Sequence, residues 1–266
     1  MTNPILTERD GKILTVTLNL PEKRNPVSDN GLIDALIVTM HEADADIGIG
    51  CVILTGAGSA FSAGGDLKAM KAGTGLRAGL PAQTRRNYRA GIQRLPLMFH
   101  ALEVPVIAAI NGPAIGAGLD LACMCDVRVA SDTAVFAESF VKLGIVPGDG
   151  GAWLLPRVIG FARAVELTLT GEAFDAAYAL EIGLVSRVVP GDQLLATARG
   201  IAEKIAANPP HAVRMTRRLL REAQTATLAN TLELSAAMQS LAHATRDNDE
   251  AIDAFVEKRA PDFRGE

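Results

Sequence analysis

The sequence predicts an α/β fold, with an alternating core over residues 1–190 and a helical C-terminal region over residues 191–266. Three observations predict it. Short apolar or alternating runs recur along the first part, and most lead into a glycine-bearing turn or an amphipathic helix. From Asp192 onward the chain changes to runs rich in Ala, Leu, Glu and Arg without a strand signal. No clear linker, low-complexity segment or repeated motif separates the two parts.

The elements follow in order. Leu14, Val16 and Leu18 alternate with Ile13, Thr15 and Thr17, the period of a strand, which stops at Pro21. Ser28 and Asp29 can cap a helix whose apolar residues Leu32, Ile33, Leu36, Ile37 and Met40 recur at helical spacing. Cys51 to Leu54 reads as a short buried strand. The stretch from Ala69 to Thr84 carries Gly, Lys and Arg and is expected to be a mobile loop. Tyr88, Ile92, Leu95, Phe99 and Leu102 step by four and three, one face of a single long helix. Strands are expected at Val106–Ile110, Val127–Val129, Ala134–Phe136 and Leu184–Val189. Asn208-Pro209-Pro210 interrupts the C-terminal region, which divides into three helices up to Arg259.

Composition narrows the function classes. The 266 residues are 48% hydrophobic and 21% charged, enough for a sizeable core and too apolar for disorder. Thirty acidic residues against 26 basic ones give a net charge of −4, so no global positive field attracts nucleic acid. Aromatics make up 4%, which leaves few stacking platforms for single strands. Cys51, Cys123 and Cys125 have neither disulfide-framework nor zinc spacing, and no metal site is expected. The N-terminus lacks the basic flank and long apolar run of a secretory signal, so a cytoplasmic location is expected. Val104 to Met124 is the most membrane-like stretch. Pro105, Asn111, Gly112, Pro113, Gly116, Gly118 and Asp120 would leave its backbone unsatisfied in lipid, so it reads as buried strand, loop and helix.

Two familiar motifs fail. Gly56-Ala57-Gly58 follows a strand, but the third glycine of a dinucleotide fingerprint is Phe61 here. A serine-hydrolase elbow is absent, and His41, His100, His211 and His243 lack nucleophile partners. What remains is a pair of strand-to-turn segments, Phe61-Ser62-Ala63-Gly64-Gly65-Asp66-Leu67 and Asn111 through Asp120. Small residues there let a ligand approach the main chain, and free N–H groups at the start of a helix carry positive potential. Such glycines can also simply make tight turns; two turns of one kind favour a small-molecule site.

These segments resemble those of the crotonase superfamily, the enoyl-CoA hydratase/isomerase proteins, over nearly the whole chain. Leu20-Pro21-Glu22-Lys23-Arg24-Asn25 is similar to the family's N-terminal coenzyme A segment, and Phe61 through Asp66 to its first oxyanion turn. Ala109 through Asp126 is similar to the second turn and its helix, and Phe255-Val256-Glu257-Lys258-Arg259 to the C-terminal helix. The resemblance implies a crotonase-type spiral of ββα units, assembled as a homotrimer or a dimer of trimers. An acyl-CoA thioester would bind between core and helical region, with coenzyme A as part of the substrate and no separate cofactor. It implies that the main-chain N–H groups of Ala63 and Ala117 bind the thioester oxygen. Lys23, Arg24 and Lys258 would meet coenzyme A phosphates, and Gly64, Gly65, Asp66 and Leu67 would shape the pantetheine or adenine channel.

Removing a proton beside a thioester places charge on its oxygen, and each preorganised donor there is worth roughly 3 kcal/mol. The acids and bases must come from side chains. Asp120 matches the first hydratase glutamate, one methylene shorter. The second falls at Phe140, which cannot move a proton. Glu138 is a weak substitute that would share a face with Phe140 if the segment is extended. Asp149 lies in the loop where some family isomerases carry their single acid, one position later than theirs, where this chain has Gly148. It could equally cap the helix starting near Gly151. A hydratase or isomerase using Asp149 and Asp120 is the expected activity. A non-catalytic acyl-CoA- or RNA-binding relative, a decarboxylase, a dehalogenase and a hydratase-lyase are the alternatives.

Overall fold

The computed structural model describes residues 3–266. Its strands are β1 (Ile5–Asp10), β2 (Ile13–Leu18), β3 (Cys51–Gly56), β4 (Val106–Ile110), β5 (Ala114–Ile115), β6 (Val127–Ser131), β7 (Val135–Ala137), β8 (Ala173–Asp175) and β9 (Arg187–Val189). The helices are α1 (Asn30–Ala45), α2 (Leu67–Lys71), α3 (Pro81–Ala90), α4 (Arg94–Ala101), α5 (Ala117–Met124), α6 (Gly151–Ile159), α7 (Phe161–Thr170), α8 (Ala176–Glu181), α9 (Leu194–Ala206), α10 (Pro210–Glu222), α11 (Leu228–His243) and α12 (Arg246–Glu257). Six strands pair in the order β1-β2-β3-β4-β6-β9, and β5-β7-β8 form a second, smaller sheet.

The period of two explains the layering. Leu14, Val16, Leu18, Val52, Leu54, Val106, Ala108 and Ile110 face the main core, which α1, α4 and α5 complete. Their neighbours Ile13, Cys51, Ile53, Ile107, Ala109 and Val129 face the other way, onto Leu194, Ala198 and Ala202 of α9. Strands covered on both faces must be apolar throughout, and β3 and β4 are buried at every residue. The expected boundary near residue 190 therefore marks a change of composition rather than of core: α9 is a layer of the sheet domain.

Asp29 caps α1, its side chain accepting the Leu32 N–H, as its place in the sequence predicts. The long helix expected from Tyr88 to Leu102 is two. Gly91 takes φ −107° and ψ −113°, outside the helical region, and separates α3 from α4. The expected loop at 69–84 is largely ordered as α2, a turn of 3-10 helix at Gly75–Arg77 and the start of α3. The C-terminal region holds four helices rather than three, because Thr245 caps a separate α12 by accepting the Asn248 N–H. Among the described residues no helix is long and apolar enough to cross a membrane.

The small sheet positions the site. β5 and β7 run parallel with Ala114 opposite Phe136 and Ile115 opposite Ala137. Ser62 bridges to Ala114. Thus the first turn, the second turn and the segment carrying Glu138 leave the same edge together.

Candidate active site

The first turn is fastened from both sides. Asn25, fully buried with φ 54°, accepts the Leu20 N–H on Oδ1 (2.9 Å) and donates from Nδ2 to the carbonyls of Ala57 (3.0 Å) and Ala60 (2.9 Å). Its own carbonyl accepts the Ser62 hydroxyl at 2.7 Å. Ser62 N–H donates to Pro113 C=O, and Ile115 N–H donates to Ser62 C=O, so the two turns are laced to each other. Glycine is required at the contact: a methyl on Gly64, at φ 80°, would strike the Ile115 carbonyl, and one on Gly118 would strike that of Ser62.

This lacing overturns one expectation. Ala63 N–H is already donated to the Arg24 carbonyl at 2.8 Å and is not free for a substrate. The unoccupied amide of this turn is that of Gly65, two residues on; Gly64 N–H goes to the Ser62 hydroxyl and Asp66 N–H to that of Ser28. In the second turn Gly116 takes the positive φ (52°) and donates its N–H to Ala137 C=O, while Ala117 begins α5 without positive φ. Among the described residues, neither Gly65 N–H nor Ala117 N–H has an acceptor. Both residues line one cavity of about 260 Å³, with Tyr88, Phe140 and Asp149 also in its wall.

Three carboxyls meet behind that wall. Asp120 and Glu138 are fully buried and Asp149 is 3% exposed. Asp120 Oδ2 accepts the Gly151 N–H at 3.1 Å, so the start of α6 is capped by Asp120 from across the fold, not by Asp149 as its sequence position suggested. Asp120 Oδ1 and Glu138 Oε1 converge on the Cα of Gly151, and neither these oxygens nor Asp149 Oδ1 has a hydrogen-bond partner among the described residues. Burial, followed by the charges of Glu138 and Asp149, pushes the Asp120 carboxyl well above its ordinary range. Burial and the Asp149 charge push Glu138 up to about 8. Asp149 is raised by burial too, the proximity of Asp120 working against that rise.

Glu138 is not on a common face with Phe140. Ser139 turns the chain (φ −92°, ψ 15°) into a 3-10 turn at Phe140–Leu143, so the two side chains part. Phe140 packs its ring toward the Gly116 turn. Tyr88 packs closely over Gly148: a Cβ there would lie 2.9 Å from Tyr88 Cε1.

The remaining expected residues divide. Leu67 borders the cavity; Asp66 caps α2, accepting the N–H groups of Lys68 and Ala69. Lys23 is exposed and 3.9 Å from Asp29, while Arg24 is exposed and tied by its backbone to Ala63. Lys258 ends α12 at φ 57° and lies outside the cavity wall of its own chain. Among the described residues no group of three or more His, Cys, Asp or Glu is arranged to hold a metal ion. A larger open groove, about 750 Å³, lies against α10 and contains none of the three carboxyls. Sequence reasoning missed the Gly65 amide and the roles of Asn25 and Tyr88. The buried unpaired state of Glu138 had no local signal, because its partners come from other elements.

A family model described as enoyl-CoA hydratase/isomerase matches residues 8–266. A probable enoyl-CoA hydratase of Mycobacterium tuberculosis is 40% identical over 259 residues, 97% of each chain. The 1,2-epoxyphenylacetyl-CoA isomerase of Escherichia coli is 37% identical over 98% of each. The crystal structure of an enoyl-CoA hydratase from Bacillus anthracis superposes with a TM-score of 0.91 at 36% identity, covering 99% of this chain and all of the other.

Proposed function

Because the chain belongs to the enoyl-CoA hydratase/isomerase family, we propose that it moves the double bond of an enoyl-CoA thioester, with Asp149 carrying the proton. One observation carries this. Asp149 supplies a carboxyl to the cavity wall, whereas Phe140 occupies the place of the second hydratase glutamate. A 1,3-shift needs one such group: it removes a proton from the α-carbon of a 3-enoyl thioester and returns it to the γ-carbon, leaving the 2-enoyl product. Hydration needs a placed water and an acid–base pair.

In this reading the thioester oxygen lies between Gly65 N–H and Ala117 N–H. As the α-proton leaves, negative charge grows on that oxygen, and each amide lowers the barrier by roughly 3 kcal/mol. The positive end of α5 adds to this. Phe140 keeps the second face dry. Lys23 and Arg24 would meet the coenzyme A phosphates from the rim of the first turn, and Lys258 from a neighbouring subunit of a homotrimer or dimer of trimers. Phe255 and Val256, 87% and 73% exposed on α12, support such assembly.

The test supplies matched 3-enoyl- and 2-enoyl-CoA in deuterated water. Interconversion is expected, with deuterium entering the α- and γ-carbons only as the proton on Asp149 exchanges with solvent, and Asp149→Asn should abolish it. Net formation of 3-hydroxyacyl-CoA at a comparable rate would favour hydration, which the contact between Asp120 and Asp149 could support. CoA-ester binding without turnover would favour the non-catalytic alternative, and full activity in Asp149→Asn would remove the proton carrier.

A further inference from the structure

Glu138 has a side chain at 0% exposure, and no donor among the described residues reaches either of its oxygens. Asp120 Oδ1 and Asp149 Oδ1 are in the same condition. Buried acceptors in that state are costly, and a proton held on a neighbouring carboxyl is a donor that satisfies them. The geometry supplies the meeting point. Gly151 has no side chain, and a methyl there would collide with both Asp120 Oδ1 and Glu138 Oε1, so the two oxygens converge on the space that glycine leaves open.

We propose that Glu138 is a positioning residue, which holds a proton against Asp120 so that Asp120 presents its own proton to Asp149 and the cluster's single negative charge rests at the cavity. The proposal rests on Asp149 being the proton carrier. Three carboxyls then hold two protons. When Asp149 takes the substrate's proton all three are neutral, and returning it to the other carbon restores the starting state. Two charges in this space would repel each other, since among the described residues no cation acts on the three carboxyls; Tyr88 of α3 and Cys123 of α5 also face them, both pushed toward their neutral forms by burial, with Arg128 acting on Cys123 from its other side.

The sign of the pH effect follows. Below about 8 Glu138 stays protonated. Once it ionises it competes for the Asp120 proton, and Asp149 loses its donor. Wild-type kcat should therefore fall as pH rises through about 8. Glu138→Gln keeps the shape and a neutral donor but cannot ionise. It should keep kcat at pH 7 to within about threefold, leave KM unchanged and lose the alkaline fall. Glu138→Leu should lower kcat at all pH values, with the glutamine variant restoring it. An alkaline fall that persists in Glu138→Gln, or a change confined to KM, would overturn the proposal.

Infrared difference spectra of the substrate-free wild type give a second arm, independent of turnover and of whether a variant folds. A protonated-carboxyl carbonyl band should be present at pH 7 and fade near pH 8. Absence of that band at pH 7 would overturn the proposal. Its presence in a protein that turns over neither enoyl-CoA would instead overturn the isomerase reading and leave the proton arrangement standing.

Discussion

Asp120 and Asp126 stand at the two ends of α5 and meet opposite treatment. Asp126 accepts hydrogen bonds from Arg217 Nε at 2.8 Å, Arg221 Nη2 at 2.7 Å and Val106 N at 2.8 Å. Burial pushes its carboxyl up, but the two guanidiniums outweigh it and hold the group below the usual carboxylate range. Asp120 receives one amide, from Gly151, and faces two further carboxyls without a cation, so its proton is held. The Asp126 end fastens α10 to the sheet domain, much as Arg214 does where it donates to Asp44 and to the carbonyls of Asp46 and Ile49. Burial depth alone does not separate structure from chemistry. What separates them is whether the buried charge is answered.

The sharpest break in that contrast comes from Asp149→Asn, which should lower kcat about 10³-fold while the thermal midpoint is kept, since the residue caps no helix. Retained stability with lost turnover is the pattern of a group held for chemistry. The reverse should hold at the other end of α5. Asp126→Asn leaves Arg217 and Arg221 buried without their countercharge and should cost about 3 kcal/mol, read from denaturant midpoints. Activity per folded molecule should survive it. A smaller and more diagnostic effect is the slope of stability with pH. Asp126 has a lowered folded pKa, so its contribution is complete above the unfolded value and is lost as acid drives pH down through the folded one. Glu138 has a raised one, so the folded state binds an extra proton and stability declines as pH rises from about 4.5 to about 8. Glu138→Gln should flatten that neutral-range decline and leave the acid limb alone; equal slopes in both proteins would erase the distinction.

How much of this was legible in the sequence depends on how local each cause is. The alternation in β2, the Asp29 cap of α1 and the paired glycine turns depend on neighbouring residues, and all appear where the pattern places them. The break between α3 and α4 was not legible, because Tyr88 and Leu95 keep one apolar face across it and Gly91 alone cannot be told from a tolerated helical glycine. The family resemblance implied Ala63 as donor. Only the arrival of the Arg24 carbonyl, from a segment far upstream, shows that this amide is spent and that of Gly65 is free. Asp120 and Asp149 stood out from their motifs, while Glu138 gained its meaning from α5, earlier in the chain, and the start of α6, later in it, which both fold against it.

Gly151 ties two fates together. An alanine there would collide with both acids, so a lineage cannot drift at this position without also surrendering residues 120 and 138. Gly151→Ala is thus expected to be tolerated only together with shorter side chains at both 120 and 138, while the inner acid at 138 can be silenced with glycine kept at 151.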